Sequence, residues 1–235
     1  MSSLGERARG AAWVAGAAYL VAALHAAHVA HEALPEGTRA RAGSLSPDDI
    51  LRADLLRLAV VILMSALIGA LFSQRNGLLG LGSLDAVRRS WRWTAAGGAL
   101  SLSFYLALGA AQAARFPAQY PCGVVWASLA WLKASVSEEV IARYGMMTLV
   151  TGVLRHRTSA NLVQAVFFTM VSLRSLTGAE GVLDLDSAGW WSLGSTFLVH
   201  LASGFVYARY GLVAAFGLRA STGLRLLLHP ALGCG

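Results

Sequence analysis

The sequence predicts an all-α polytopic membrane protein, a bundle of about seven transmembrane helices. Three observations carry that expectation. The 235 residues are 56% hydrophobic, with a mean hydropathy of +0.58. Only 13% are charged, against about 25% in an ordinary soluble domain. Apolar stretches of roughly 20 residues, the length of a bilayer-crossing helix, recur along the whole chain.

The first stretch, about 11–33, follows Arg7 and Arg9. It is longer than the apolar core of a signal peptide and lacks a convincing cleavage site, so it reads as a retained span. A loop of about 34–50 holds Pro35, Gly37 and Gly43 and ends in Ser46-Pro47-Asp48-Asp49. Ser46 suits an N-cap and Pro47 the first helical position, and the aspartates suit the positive end of the helix dipole, so the second span starts there. That span runs over about 51–73. Arg75 to Trp93 forms the largest connection, with Arg88, Arg89 and Arg92 beside Trp91 and Trp93. Two readings stand: interfacial anchors facing anionic lipid, or a docking surface for an acidic cytoplasmic partner. Spans of about 94–114, 123–153 and 160–176 follow. Trp190 and Trp191 read as an aromatic belt opening a sixth span, about 189–208, and a seventh covers about 211–229. The last two are separated only by Arg209-Tyr210, which leaves six or eight spans as alternatives.

The net charge of +7 is explained by placement. With the N-terminus inside, nine arginines fall on the cytoplasmic side: Arg7, Arg9, Arg75, Arg88, Arg89, Arg92, Arg155, Arg157 and Arg209. The opposite side has five, Arg39, Arg41, Arg52, Arg115 and Arg174, diluted by Glu36, Asp48, Asp49, Glu180, Asp184 and Asp186. The basicity is therefore topological and argues against direct nucleic-acid binding. Lys133 is the sole lysine, and this arginine bias with abundant Ala, Gly and Leu suggests a GC-rich bacterial genome. Cys122 and Cys234 suggest neither a disulfide framework nor a metal-ligand spacing, and Cys234 is too near the end for a prenylation box.

The chemistry-bearing segment is Ser137-Glu138-Glu139-Val140-Ile141-Ala142-Arg143-Tyr144-Gly145, inside the fourth span. Ionisable groups at membrane depth cost several kcal/mol and persist mainly where they pair or react. Glu139 and Arg143 stand four apart with the acid N-terminal, the favourable order for an ion pair. Glu138 lies about 100° round the same turn and is less well placed for that arginine.

Glu138, Glu139 and Arg143 resemble the first motif of the CPBP family of intramembrane proteases, which includes CAAX-processing and Abi-type proteins. That motif is a Glu-Glu pair followed after three residues by Arg and usually Gly; here Tyr144 precedes Gly145. The resemblance extends through the segments beginning at Asn161 and at Tyr210, and covers about 123–230. It implies two parts: N-terminal transmembrane helices over 1–120 and a CPBP-like core over 121–235. In the enzymes of this family one carboxylate activates water, and two histidines and an asparagine from later helices complete the site. The matching second motif reads Phe168-Thr-Met-Val-Ser172, and the third Arg219-Ala-Ser-Thr-Gly223. Both histidines and the asparagine are thus replaced, by Ser172, Arg219 and Gly223. A serine is a poor base or metal ligand, and an arginine does not exchange protons at all. Glu138, Glu139, Arg143 and Arg219 sum to zero charge, which suits a locked structural network. His200 or His229 could replace a lost histidine; the bland reading places each at a helix interface.

His25, His28 and His31, spaced by three with Glu32 following, fall on about a 120° arc of the first helix. They are a weak metal, haem or quinone ligand set, since adjacent turns of one helix rarely close a site. Histidines at a helix interface or headgroups are the alternative.

The expectation is a non-proteolytic membrane regulator with no cofactor that holds or releases a cytoplasmic protein. Size, hydrophobicity and residue bias are also similar to CarR-type membrane-bound anti-sigma regulators of light-induced carotenoid synthesis, and that resemblance implies inner-membrane sequestration of an extracytoplasmic-function sigma factor and negative control of transcription. The alternatives are an active CPBP-type endopeptidase using Glu138 or Glu139, and a small-molecule or lipid carrier, for which no discontinuous-helix signal is seen.

Overall fold

The computed structural model describes residues 4–32, 46–115, 120–175, 187–232 and 234. Helices and short connections make up all of these, with no strand among the described residues. Helix α1 is Leu4–Glu32, α2 is Pro47–Phe72, α3 is the short Leu84–Arg89 and α4 is Trp91–Arg115. One long rod follows: α5 (Val124–Leu132), π-helical turns Lys133–Ser137 and Val140–Met147 on either side of the glutamate pair, and α6 (Thr148–Leu154). Then come α7 (Arg157–Ser175), α8 (Ser187–Tyr210), α9 (Leu212–Thr222) and α10 (Leu224–Leu232). Helices α1, α2 and α4 contain unbroken spans, Gly5–His31, Pro47–Phe72 and Trp91–Ala113, long and apolar enough to cross a membrane.

The distribution of side chains is that of a protein dissolved in lipid. Leu56, Leu106, Val153 and Met170 point outward and exposed, whereas Ser65, Ser137, Thr148, Gln164 and Ser203 are buried. Lipid tails satisfy apolar surface but no hydroxyl or amide, so polar groups turn inward and bond to one another or to backbone. Ser137 Oγ, for example, donates to the Ala18 carbonyl at 2.7 Å and so fixes α1 against the rod carrying the glutamates.

Local signals hold where the chain meets the membrane edge. Ser46 caps α2 with a reciprocal capping box to Asp49, and Pro47 occupies the first turn. Trp190 and Trp191 are exposed at the start of α8. Between α8 and α9 the chain turns at Gly211, whose φ of +91° disfavours any side chain. A β-carbon there would also lie 2.4 Å from Gly82 Cα. The tight approach lets Leu212 and Val213 donate their amides to the Gly80 and Leu81 carbonyls at 2.9 and 3.1 Å, which satisfies the start of α9.

One sequence expectation is corrected here. Cys122 and Cys234 form a disulfide across a separation of 112 residues. Spacing along the chain held no hint of it, because the two meet only once α5 and α10 are packed side by side. The polar loop residues Glu36, Arg39, Arg41, Glu180, Asp184 and Asp186 lie outside the described residues, as do the side chains of Glu32, Arg115 and Arg174.

Candidate functional site: a buried carboxylate-arginine network

The two π-helical turns bracket Glu138 and Glu139. Such turns add a residue to each helical turn and recur where a helix must re-aim side chains at a site. Glu139 and Arg143 are both fully buried, with Arg143 Nε 3.2 Å from Glu139 Oε2. Ser203 of α8 donates to the same oxygen at 2.5 Å. Glu138 points to a different set of partners. Arg219 Nη2 of α9 donates to its Oε2 at 3.2 Å, and Lys133 Nζ lies 3.8 Å from its Oε1. Arg219 also reaches the second acid, with Nε 4.0 Å from Glu139 Oε1. These two atoms are buried and hydrogen-bond to nothing among the described residues. With Lys133 included, three cations face two carboxylates.

Arg143 continues the network toward α7 and α8. Its Nη1 donates to Gln164 Oε1, and its Nη2 lies 2.9 Å from His200 Nδ1. A guanidinium only donates, so His200 Nδ1 is the acceptor and the imidazole proton sits on Nε2. Phe168 stacks on the His200 ring, centroids 5.0 Å apart and planes 14° from parallel. Gln164 in turn donates to Asn161 Oδ1 at 2.9 Å and to the His200 carbonyl at 3.1 Å. Asn161 closes the chain by donating to the Leu201 carbonyl at 2.8 Å. Four elements are joined by this one polar network.

The motif positions fare differently. Ser172 donates to the carbonyl of Phe168 on its own helix at 3.0 Å. Gly223 sits at the break between α9 and α10, where a β-carbon would lie 2.8 Å from Trp131 Cδ1. Trp131 is itself held there, its Nε1 donating to the Ala220 carbonyl at 2.8 Å. The place of the family's asparagine is therefore filled by an indole. His229 pairs with Tyr105, Nδ1 to hydroxyl 3.0 Å, in a separate aromatic cluster.

The N-terminal histidines diverge. His31 faces Asp48 at 3.6 Å and His28 meets the Trp126 ring, centroids 5.8 Å apart. His25 lies within electrostatic reach of Lys133 and Glu138. The three do not form a common ligand set, and the described His/Cys/acid group that does converge is Cys122, His229 and Cys234. Arg88 is exposed beside Asp85 at 3.8 Å, Arg92 lies over the Trp91 ring at 5.8 Å, and Arg89 ends α3. Sequence reasoning passed over Lys133, Gln164 and Ser203. Their signal was present as polar side chains within apolar spans, but which of them converge is a property of the packing.

No curated protein and no solved structure matches the chain. Residues 120–224, just under half of it, match the family model described as type II CAAX prenyl endopeptidase Rce1-like. That stretch contains Glu138, Glu139, Arg143, Ser172, Arg219 and Gly223, and spans every helix that contributes to the polar network. The segment 120–224 thus belongs to the CPBP family, as an Rce1-like domain within an all-α membrane bundle.

Proposed function

We propose that this protein uses the CPBP scaffold without hydrolysing peptides, as a bacterial inner-membrane regulator that holds a cytoplasmic protein. One observation carries the reading: both glutamates are engaged by arginines, Glu139 by Arg143 and Glu138 by Arg219. A carboxylate that activates water needs a neighbour that exchanges protons at the working pH. Here the neighbours are guanidinium groups, which do not exchange them. His200 offers no base, because its Nδ1 lone pair accepts from Arg143. The exposed Arg88, Arg89 and Arg92, with Trp91 and Trp93, supply a basic aromatic surface for an acidic partner such as an extracytoplasmic-function sigma factor. Release of that partner would then relieve repression, with carotenoid genes one class of target to read out. The excess of arginine in alternate loops supports an N-terminus inside. So does the disulfide, because span counting from that end puts both cysteines on the oxidising side.

The test compares the deletion strain with strains expressing wild type, Glu138→Gln, or Arg88→Ala/Arg89→Ala/Arg92→Ala at equal membrane levels. Transcripts and membrane proteins are both profiled. The reading expects Glu138→Gln to repress like wild type and the triple variant to derepress like the deletion. Deletion-like behaviour of Glu138→Gln, with an uncleaved membrane protein accumulating, would refute it.

A second reading has one observation in its favour. His25 is in electrostatic reach of Glu138, from a helix outside the family-matched segment. An endopeptidase using Glu138 with His25 would lose cleavage on either Glu138→Gln or His25→Ala.

A further inference from the structure

A second polar centre lies away from the glutamates, where the disulfide joins Cys122, two residues before α5, to Cys234, two residues past α10. The Cys122 and Cys234 sulfurs and a ring nitrogen of His229 all lie within 4.8 Å of one another. Cys122 is exposed, Cys234 half-buried, and His229 only 4% exposed. The imidazole has two aromatic neighbours. Tyr105 hydroxyl lies 3.0 Å from Nδ1, and the Tyr120 ring meets it edge-on with centroids 5.3 Å apart. Tyr120 is fixed in turn, its hydroxyl donating to Gln112 Oε1 at 2.5 Å.

A disulfide needs two cysteines and nothing more. A buried imidazole, bonded to a tyrosine hydroxyl and with a ring nitrogen within 4.8 Å of two sulfurs, is unexplained by the cross-link alone. It is the donor set of a borderline or soft cation, two thiolates and one imidazole, and the Tyr105 contact is the kind that orients a ligating histidine.

We propose that Cys122, Cys234 and His229 form a redox-gated metal site, closed by the disulfide when oxidised and able to take a thiophilic divalent cation such as Zn2+ when reduced. Reduction by two equivalents of a thiol, or one of a dithiol, breaks the S–S bond. Both electrons and both protons go to the cysteines, and the reductant leaves as its disulfide. Binding of the cation then releases the two thiol protons, so two thiolates balance its double charge and His229 ligates as the neutral base. Exposure of Cys122 leaves a further position open to water or to an external ligand. In both states the C-terminal segment stays tied to α5, by a covalent bond in one and by the metal in the other.

The experiment uses the full chain in detergent, reduced with a phosphine under nitrogen and titrated with Co2+ as the spectroscopic probe. Reduced wild type is expected to develop a thiolate-to-cobalt charge-transfer band saturating at one equivalent, bleached by Zn2+. Unreduced protein should show none. Cys122→Ser should abolish the band. His229→Ala should weaken cobalt binding at least tenfold, and Tyr105→Phe, which keeps the ligand but frees its ring, by a smaller factor. Size-exclusion profiles matched to wild type establish that the variants are folded. Absence of the band in reduced wild type overturns the site, as does an equal band without reduction. A His229→Ala variant, or where that is unfolded a Tyr105→Phe variant, with wild-type cobalt affinity removes His229 as a ligand and overturns it too.

Discussion

Glu139 and Arg143 are each fully buried, so each is tolerable at membrane depth only because the other is there. Glu139→Gln leaves the Arg143 guanidinium with no carboxylate at its Nε, and the expected cost is about 3–5 kcal/mol. It should appear as lost monodisperse protein in detergent and a lower Tm. The double variant Glu139→Leu/Arg143→Met removes both charges and should recover most of the loss, since an apolar pair of similar volume is often neutral. Glu138→Gln should be milder than Glu139→Gln, because that carboxyl is partly exposed. Equal losses in all three would mean that the pairs are not what holds the network. Gly223 gives a second test at this scale. Gly223→Asn forces a β-carbon to within 2.8 Å of Trp131 and should cost about 1–3 kcal/mol as overpacking. Restoring the third motif with Arg219→His and Gly223→Asn should therefore yield a less stable protein and no peptidase activity on a prenylated CAAX peptide. Much of this was legible in the sequence: the Glu-Glu-Arg spacing, and the substitutions at Ser172, Arg219 and Gly223. The indole filling the third-motif position was not, because Trp131 and Gly223 are 92 residues apart and only packing brings them together.

Elements were read unevenly, for a physical reason. Ends governed by local chemistry were legible: the Ser46 cap of α2, the tryptophans opening α8, the break at Arg209-Tyr210. The π-helical turns around the glutamates were not, because a wide turn is a compromise between backbone and neighbouring helices and leaves no mark in hydropathy. The disulfide escaped for the same reason. The junction of α8 and α9 shows how a small element controls the site. Gly82 and Gly211 approach so closely that the 80–81 carbonyls cap α9, the helix carrying Arg219. Gly211→Ala adds strain at positive φ and a 2.4 Å approach to Gly82 Cα, a cost of about 1–3 kcal/mol or more. Besides the lower Tm, cysteine labelling at position 219 in a Gly211→Ala, Arg219→Cys protein lacking the native cysteines should speed up relative to the same protein with Gly211. Unchanged labelling would mean that this junction does not position α9.

At the scale of the whole molecule, orientation and the disulfide make one joint prediction. In the proposed orientation the N-terminus and Arg88 lie on the cytoplasmic side, as the arginine excess in alternate loops favours, and span counting from there sends both Cys122 and Cys234 to the opposite side. A disulfide persists in an oxidising compartment and is rare against a reducing cytosol. The two arguments are independent, since one uses arginines and the other sulfurs. In intact cells a membrane-impermeant maleimide should therefore label nothing on wild type, and should label Cys122 after treatment with an impermeant phosphine, because Cys122 is exposed. In a background lacking both native cysteines, Arg88→Cys should resist the same reagent until the membrane is permeabilised. Labelling of Arg88→Cys in intact cells would reverse the topology. It would place the disulfide in a reducing compartment, and the basic surface of α3 would face away from any cytoplasmic partner, so the regulator reading would fall with the orientation. Labelling of Cys122 without prior reduction would instead leave the orientation standing and show the thiols free, the state in which His229 and two sulfurs could hold a cation.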